Sequence, residues 1–223
     1  MKRIALIAAL FTFVSAPSFA ADDEKIEPGF NEQTFKGLEM RSIGPAFMSG
    51  RISDIAIDPN DQSTWYVGVG SGGVWKTVNG GTTWEAVFED EDAYSIGCIT
   101  IDPGNSNTIW VGTGENISGR HVGYGAGVYL SLDGGKTWKN MGLPKSEHIG
   151  MIRIDPRDSN VVFVAVQGPL WSGGGDRGLY KSTDGGKNWR KVLGDGHGNT
   201  ELDDRYTGVS EVHMDPRKPD VMS

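Results

Sequence analysis

Two carboxylates and a group of polar side chains lie in the least repetitive parts of this 223-residue sequence. Glu115 lies in the segment 113–127 and Asp176 in the segment 167–178, and both segments are long and vary in composition. A pair of facing carboxylates can carry out the acid and base steps of glycoside hydrolysis. These two side chains are therefore the candidate catalytic residues if the protein is a hydrolase.

A wider set of side chains could bind a polar ligand without cleaving it. Arg51 and His148 occupy one position of a sequence repeat described below, and Ser95 and Gly208 fill that position elsewhere. Such different residue types do not serve a common packing role, and variable loops on a rigid scaffold often bind ligands. Aromatic surface mixed with both signs of charge suits a polar ligand. The predicted ligand-binding residues are Arg51, Glu115, Arg120, Tyr124, His148, Trp171, Asp176 and Arg177.

Other kinds of site find little support in the sequence. The Gly-rich strings near positions 70, 123 and 173 lack the Lys-Ser/Thr pair and the strand-to-helix context of a phosphate loop. The acidic run 89–92 lacks the glycine-spaced ligands of a calcium loop. The single cysteine, Cys98, allows no intramolecular disulfide and is expected to be a buried or channel-side thiol. We predict no metal and no cofactor.

The composition limits both the fold and the partners. Glycine accounts for 33 residues and hydrophobic residues for only 37%, which disfavours a helical bundle. The 21 basic and 29 acidic side chains give a net charge of −8, which disfavours nucleic acid and anionic membrane surfaces as partners. Seven tryptophans can still build a core, so disorder is not expected.

Two motifs recur along the chain with one common period. Three segments align without gaps and end at tryptophans that are 54 and 51 residues apart, namely 76–84, 130–138 and 181–189. A second motif, an alternating apolar segment that ends in Asp-Pro, precedes each of them and occurs a fourth time at 212–216. Alternation is the period of a strand, and Asp/Asn-Gly-Gly is typical of a tight hairpin turn. Four short antiparallel strands repeated about every 50 residues predict the blades of a β-propeller.

The predicted fold is all-β, with three complete four-stranded blades and the start of a fourth. The predicted blades are 51–94, 95–147, 148–207 and the partial blade 208–223. Because the fourth unit ends within its second strand, we expect a piece of a longer protein, with a ring assembled from several chains as the alternative. The segment 21–50 is too short for a blade, although residues 38–43 could supply one ring-closing strand.

The N-terminus has the features of an export signal. Lys2 and Arg3 precede the apolar run 4–14, and small residues lead up to Ala20. The apolar run is too short to span a bilayer. We therefore predict a signal peptide at 1–20 with cleavage after Ala20, and a secreted or periplasmic mature protein that does not insert into a membrane.

The tryptophan motif resembles a known repeat. Residues 131–138 match Ser-x-Asp-x-Gly-x-Thr-Trp in full, and the other two copies depart from it only slightly. This pattern resembles the Asp-box, or bacterial neuraminidase repeat, of β-propellers. The wider frame at 40–52 and 72–76 is similar to exported bacterial proteins grouped with the sortilin N-terminal propeller and with xyloglucanase-type glycosidases. The resemblance implies a structural role for the Asp-box residues Asn79, Trp84, Asp133, Trp138, Asp184 and Trp189.

The resemblance also allows the two hydrolase types to be compared with this chain. Xyloglucanase-type enzymes carry a catalytic aspartate two residues before the Gly-Gly of the first blade, where this chain has Gly70. Sialidases carry Arg-Ile-Pro at the start of the propeller, and the segment 41–45 departs from it. We therefore predict an exported, non-catalytic propeller that binds a protein or a glycan on the face carrying the long loops 113–127 and 167–178. The alternatives are a glycoside hydrolase of xyloglucanase or sialidase type, with catalytic residues partly outside this chain, and a purely structural module of a larger multidomain protein.

Overall fold

All the secondary-structure elements that the structure describes are β-strands. The computed structural model describes residues 51–117, 119, 122–193, 205–215 and 217–223. Within those residues there is no helix long and apolar enough to cross a membrane. The predicted signal peptide 1–20 and the segment 21–50 lie outside the described residues, so both assignments stay predictions.

The strands form four antiparallel sheets, which we call blades 1 to 4. Blade 1 contains β1 (Ile52–Ile57), β2 (Trp65–Val69), β3 (Gly73–Thr77) and β4 (Glu85–Ala86). Blade 2 contains β5 (Ile96–Asp102), β6 (Asn105–Thr113), β7 (Val128–Ser131) and β8 (Lys139–Asn140). Blade 3 contains β9 (Ile149–Asp155), β10 (Asp158–Val166), β11 (Gly178–Ser182) and β12 (Arg190–Leu193). The partial blade 4 contains β13 (Met214–Asp215) and β14 (Lys218–Met222).

Within each blade the strands lie side by side in chain order. Every pairing between them is antiparallel, so each blade is a simple meander. The predicted all-β propeller architecture, with three complete blades and the start of a fourth, is therefore confirmed.

The aspartate of each Asp-Pro motif stabilises the turn that joins the first and second strands. Its carboxylate accepts the main-chain N–H two residues later at 2.8 or 2.9 Å. The four aspartates are Asp58, Asp102, Asp155 and Asp215. A short acidic side chain that bonds the backbone in this way favours a turn over continued strand.

The Asp-box turns, between the third and fourth strands, share one hydrogen-bond pattern. In blade 2 the hydroxyl of Ser131 donates to the carboxylate of Asp133 at 2.8 Å and accepts the N–H of the second box glycine at 2.8 Å. Hydrogen bonds from the side chain and the main chain of Thr137 lower the pKa of Asp133 to about 2. The same bonds recur around Asn79 and Asp184.

The two kinds of turn lie on the same face of the blades. In each complete blade the N–H of the first box glycine donates to a carbonyl in the Asp-Pro turn or at the start of the strand that follows it, at 2.9 or 3.0 Å. The pairs are Gly80 with Ser63, Gly134 with Asn107, and Gly185 with Asn160. The remaining connections start from the opposite ends of the strands. They form the long-loop face, as the alternation of antiparallel strands predicts.

The hydrophobic core lies between neighbouring blades. One cluster joins Tyr66 and Val74 of blade 1 to Ile96 and Ile109 of blade 2, together with other buried residues. A second cluster repeats this arrangement between blades 2 and 3. Because each sheet covers the next, the stability of one blade depends on its neighbours.

The Asp-box tryptophans of blades 2 and 3 hydrogen-bond to the preceding blade. The indole N–H of Trp138 donates to the carbonyl of Val87 at 2.6 Å, and that of Trp189 donates to the carbonyl of Met141 at 2.8 Å. These contacts support the structural role that the repeat predicts for the box tryptophans. In blade 1 the equivalent residue, Trp84, is 40% exposed.

Candidate functional site

The residue before each first strand has the same backbone setting in the three complete blades. Its carbonyl accepts the N–H of the residue that follows the second strand, at 2.7 to 2.9 Å. The pairs are Arg51 with Gly70, Ser95 with Gly114, and His148 with Gln167. We call Arg51, Ser95 and His148 the strand-head residues. Since their backbone position is fixed by one pattern, their side chains can differ without changing the blade.

An ion pair joins the head of blade 1 to the long loop of blade 2. The guanidinium of Arg51 contacts the Glu115 carboxylate oxygen Oε1 through Nε at 2.8 Å and through Nη2 at 2.5 Å. The Glu115 side chain is only 3% exposed, whereas that of Arg51 is 55% exposed. The second carboxylate oxygen of Glu115 is buried and has no hydrogen-bond partner among the described residues. Arg51 is therefore the main compensation for a buried negative charge.

Gly70 leaves the space that the Glu115 carboxylate fills. A Cβ atom at position 70 would lie 2.4 Å from the Oε1 atom of Glu115, well inside van der Waals contact. The resemblance to xyloglucanase-type enzymes matches this position to their catalytic aspartate. In this chain the carboxylate beside position 70 comes instead from the second blade and is already paired.

His148 and Tyr124 extend the same cluster. The Nδ1 atom of His148 lies 2.9 Å from the main-chain carbonyl of Glu115, so Nδ1 carries the hydrogen in this bond. Burial lowers the pKa of His148, which favours the neutral ring. The ring of Tyr124 lies 5.5 Å from the imidazole, at an angle of 47°, and is itself 60% exposed. Four predicted residues, Arg51, Glu115, Tyr124 and His148, thus form one cluster.

Arg177 organises the long loop of blade 3. Its guanidinium donates to the carbonyls of Gln167 at 2.9 Å, Ser172 at 2.5 Å and Gly174 at 3.1 Å, and also to the carbonyl of Pro169. Because the guanidinium N–H groups of Arg177 donate to carbonyls of its own loop, this side chain stabilises the conformation of the loop. Its predicted contact with a ligand stays a prediction.

Asp176 anchors the same loop to the connection between blades 2 and 3. Its carboxylate accepts the N–H of Lys145 at 2.8 Å, and its own N–H donates to the Lys145 carbonyl at 3.0 Å. Trp171, which lies in this anchored loop, is 71% exposed. The loop thus holds an open aromatic surface on a fixed backbone. Arg120, the remaining predicted ligand-binding residue, lies outside the described residues.

Four exposed aromatic side chains lie in the connections of the long-loop face. They are Tyr94, Tyr124, Trp171 and Tyr206, and each is at least 60% exposed. Ser95, which follows Tyr94, donates its hydroxyl to the carbonyl of Gly123, which precedes Tyr124. This bond holds the two tyrosine-bearing segments together.

The second pair of aromatic residues is linked in a similar way. The N–H of Gly174, in the loop of Trp171, donates to the carbonyl of Arg205 at 2.7 Å, and Tyr206 is the next residue. Between the two pairs, the amide of Gln167 donates to the carbonyl of Asn116 and joins the long loops of blades 2 and 3. The face is therefore continuous from blade 1 to the start of blade 4.

This fold and its repeats agree with the sequence profile of the Sortilin-Vps10 family, described as "Sortilin, neurotensin receptor 3", which matches residues 47–210. The chain belongs to the Sortilin-Vps10 family. The resemblance to sortilin-type propellers is thereby confirmed.

Relatives of this Sortilin-Vps10 family member include proteins named as xyloglucanases. It is 26% identical over 163 residues to the oligoxyloglucan-reducing end-specific xyloglucanase of Emericella nidulans, covering 63% of this chain and 17% of that one. It is 29% identical over 168 residues to a xyloglucanase of Acetivibrio thermocellus, covering 65% of this chain and 19% of that one. The crystal structure of an ancestral GH74 enzyme is 25% identical with a TM-score of 0.50, covering 64% of this chain and 18% of that one. The chain thus spans about a fifth of the length of these relatives.

The two candidate catalytic carboxylates have separate surroundings in this Sortilin-Vps10 chain. Glu115 is buried against Arg51, while Asp176 accepts a main-chain N–H from Lys145. No hydrogen bond or shared partner joins the two among the described residues. Their assignment as a hydrolytic pair therefore rests on the sequence alone.

The first strands of blades 1 to 3 line a cavity of about 620 Å³ in this Sortilin-Vps10 chain. Asp54 bridges two of these strands, since its carboxylate accepts the N–H of Ile99 at 2.9 Å. Cys98 also borders the cavity but is buried, and burial raises the pKa of its thiol. Among the described residues, no group of three His, Cys, Asp or Glu side chains could hold a metal ion.

Sequence reasoning missed three contributors to the long-loop face of this family member. Tyr94 and Tyr206 lie in connections between blades, and aromatic residues next to a repeat boundary could have indicated them. Gly70 was identified only as the position of an absent acid. Its role in making room for Glu115 depends on a contact between blades, for which the repeat carries no signal.

Proposed function

We propose that this chain forms part of a carbohydrate-binding propeller face that holds a glycan on its long-loop side and does not cleave it with its own carboxylates. The observation that carries the proposal is the set of four open aromatic rings in the connections of one face. Exposed aromatic surface on an anchored backbone is typical of binding sites, and the flat apolar side of a sugar ring can pack on it. The names of the relatives, which act on xyloglucan, favour a β-glucan as the ligand.

The ion pair and the burial of Glu115 support binding rather than hydrolysis. A general acid must donate a hydrogen bond to the substrate, whereas the Glu115 carboxylate is engaged by the guanidinium of Arg51. A base or nucleophile must reach the substrate, whereas this side chain is 3% exposed. The acid that xyloglucanase-type enzymes place at position 70 is replaced by glycine.

The test is a titration of the purified chain with xyloglucan oligosaccharides, in which calorimetry measures the heat of binding. We expect the double variant Tyr124→Ala with Trp171→Ala to bind at least about tenfold more weakly, because two stacking surfaces are lost. Leu132→Ala is the matched control, since Leu132 is 68% exposed but lies in an Asp-box turn on the opposite face. Unchanged affinity of the double variant, or equal losses in the control, would contradict the proposal.

A glycoside hydrolase is the second candidate, and the xyloglucanase names of the relatives favour it. Its catalytic residues would then lie partly outside this chain, which spans only about a fifth of those enzymes. Release of reducing sugar that Glu115→Gln or Asp176→Asn abolishes would support hydrolysis by this chain. Binding without such release would support the non-catalytic proposal. The family description names a neurotensin receptor, so a peptide panel in the same titration would reveal a protein ligand instead.

A further inference from the structure

The groove between blades 2 and 3, beside the Asp-box turn of blade 3, differs in its lining from the groove between blades 1 and 2. The first groove, between blades 1 and 2, encloses about 350 Å³, and half of the residues that line it are charged. The second groove, between blades 2 and 3, encloses about 450 Å³, which lies in the range of small-molecule sites. Its floor is apolar and includes Trp110, Leu130, Trp138 and Met141.

In the first groove, side chains of blade 1 satisfy the Asp-box turn of blade 2. The hydroxyl of Tyr66 donates to the carbonyl of Gly134, the first box glycine, at 3.0 Å. The ammonium of Lys76 donates to the same carbonyl at 2.8 Å and lies 5.3 Å from the centre of the Tyr66 ring. Gly134 is buried. The carbonyl of this turn therefore already has two donors from within the chain.

The second groove lacks both of these donors. Trp110 takes the place of Tyr66 in blade 2, and its partner in register, Leu130, takes the place of Lys76. The equivalent box glycine, Gly185, is half-buried and lines the hollow, and no described residue donates to its carbonyl. The indole N–H of Trp110 is buried and has no acceptor among the described residues. Because a buried polar group without a partner is unfavourable, a ligand that supplies these partners gains free energy on binding.

The free charges at the rim of the second groove are positive. Lys139 and Lys187 are exposed, line the hollow and form no ion pair among the described residues. The two carboxylates at this rim, Asp102 and Asp184, accept hydrogen bonds within their own turns. In the first groove the position of Lys139 is taken by Glu85. A ligand carboxylate can thus pair with lysines of the second groove, whereas a ligand ammonium has no free partner there.

We propose that the second groove binds a small phenolic carboxylate, that is, a ligand with an aromatic ring, one hydroxyl and one carboxylate. The ring packs on the apolar floor. The hydroxyl donates to the carbonyl of Gly185, as the Tyr66 hydroxyl does to the equivalent carbonyl in the first groove, and its oxygen accepts the indole N–H of Trp110. The carboxylate pairs with Lys139 and Lys187. This site lies beside an Asp-box turn and is separate from the proposed glycan site among the long loops.

The test is a calorimetric titration of the purified chain with para-hydroxyphenylacetate. Phenylacetate, which lacks the hydroxyl, should bind about tenfold more weakly, which is the effect of one lost hydrogen bond. Tyrosol, which has an alcohol in place of the carboxylate, should bind about threefold more weakly, because it loses its ion pairs with exposed lysines. Equal affinity for all three compounds, or no binding of para-hydroxyphenylacetate at millimolar concentration, would overturn the proposal.

Variants of the chain locate the site. Leu130→Lys copies Lys76 of blade 1, so its ammonium can donate to the carbonyl of Gly185 and cover the floor, and binding should weaken at least about tenfold. Lys187→Ala should weaken binding about threefold. Lys136→Ala is the matched control and should leave binding unchanged, since Lys136 is the equivalent exposed lysine of the first groove.

Circular dichroism shows whether each variant is folded. A folded Leu130→Lys variant that binds para-hydroxyphenylacetate as tightly as the starting chain would overturn the proposal. Equal losses in Lys136→Ala and Lys187→Ala would show that the ligand is attracted by surface charge alone, which would also overturn it. If Leu130→Lys does not fold, the two lysine variants and the three compounds still decide between these outcomes.

Discussion

Removal of Arg51 should destabilise the protein more than neutralisation of its partner Glu115. The Glu115 side chain is 3% exposed, so Arg51→Ala leaves a buried carboxylate with no countercharge. Breaking a fully buried pair costs about 3 to 5 kcal/mol, and an exposed pair contributes at most about 1 kcal/mol. Since Arg51 is 55% exposed, water can replace part of its interaction, and we expect a loss of about 2 kcal/mol.

Glu115→Gln keeps the side-chain shape that fits beside Gly70 and retains an oxygen that can accept a hydrogen bond from Arg51. The charge is lost, but the arginine can turn into solvent, so we expect a loss of about 1 kcal/mol. In the double variant Arg51→Ala with Glu115→Gln, no charge remains buried. Its free energy of unfolding should therefore fall by clearly less than the sum of the two single losses, with a coupling energy of about 1 kcal/mol.

The starting protein, the two single variants and the double variant form a double-mutant cycle. Urea denaturation of these four proteins measures the coupling energy directly. An accompanying fall in Tm of about 4 to 8 °C for Arg51→Ala is expected for a domain of this size. Arg190→Ala is the control, because Arg190 is an exposed arginine with no ion pair among the described residues, and it should change stability by less than about 0.5 kcal/mol. Additive losses in the cycle, or an Arg51→Ala variant as stable as the control, would refute the assignment of Arg51 as the countercharge of Glu115.

Three further predictions concern the Asp-box turns, Cys98 and the box tryptophans. Hydrogen bonds lower the pKa of Asp133 and of Asp184 from 3.8 to about 2, so their stabilisation is present at neutral pH and is lost as the pH falls from about 4 to about 2. The variant Asp133→Asn with Asp184→Asn, which copies Asn79 of blade 1, should lose less stability over that range, and identical pH profiles would contradict this. Cys98 should not react with a thiol reagent at pH 8 unless the protein is denatured, because burial raises the pKa of its thiol; rapid reaction of the native protein would show that the thiol is accessible. Trp138→Ala should cost about 3 to 5 kcal/mol and Trp84→Ala about 1 kcal/mol in urea denaturation, since of these two residues only Trp138 packs on a preceding blade among the described residues, and equal costs would count against that explanation.

The blade architecture could be predicted from the sequence because its determinants are local and repeated. An Asp-box needs its serine, its aspartate and its glycines within a few residues, and the same spacing occurs around Asn79, Asp133 and Asp184. Short turns join the first strand to the second and the third strand to the fourth, which places these pairs side by side as antiparallel neighbours. No contact between distant segments is needed for this step.

The candidate site could be predicted only in part, because its contacts join residues far apart in the chain. Arg51 and Glu115 are 64 residues apart, and their pairing depends on the path of a long loop. A charged loop residue looks the same in sequence whether it faces a ligand or its own backbone. Arg177 illustrates this, since its guanidinium donates to four carbonyls of the loop that it was predicted to equip for binding.

The position of the Arg51–Glu115 pair would couple the proposed ligand binding to blade packing. The pair joins blades 1 and 2 at the edge of the long-loop face, and the carbonyl of Glu115 also holds the imidazole of His148 at the head of blade 3. One residue of the blade 2 loop therefore contacts the strand heads of both neighbouring blades. A ligand that packs on Tyr124, whose ring lies against His148, would bind a surface whose backbone these contacts already fix. Little conformational entropy is then lost on binding, which is the physical advantage of placing a binding face across blade boundaries.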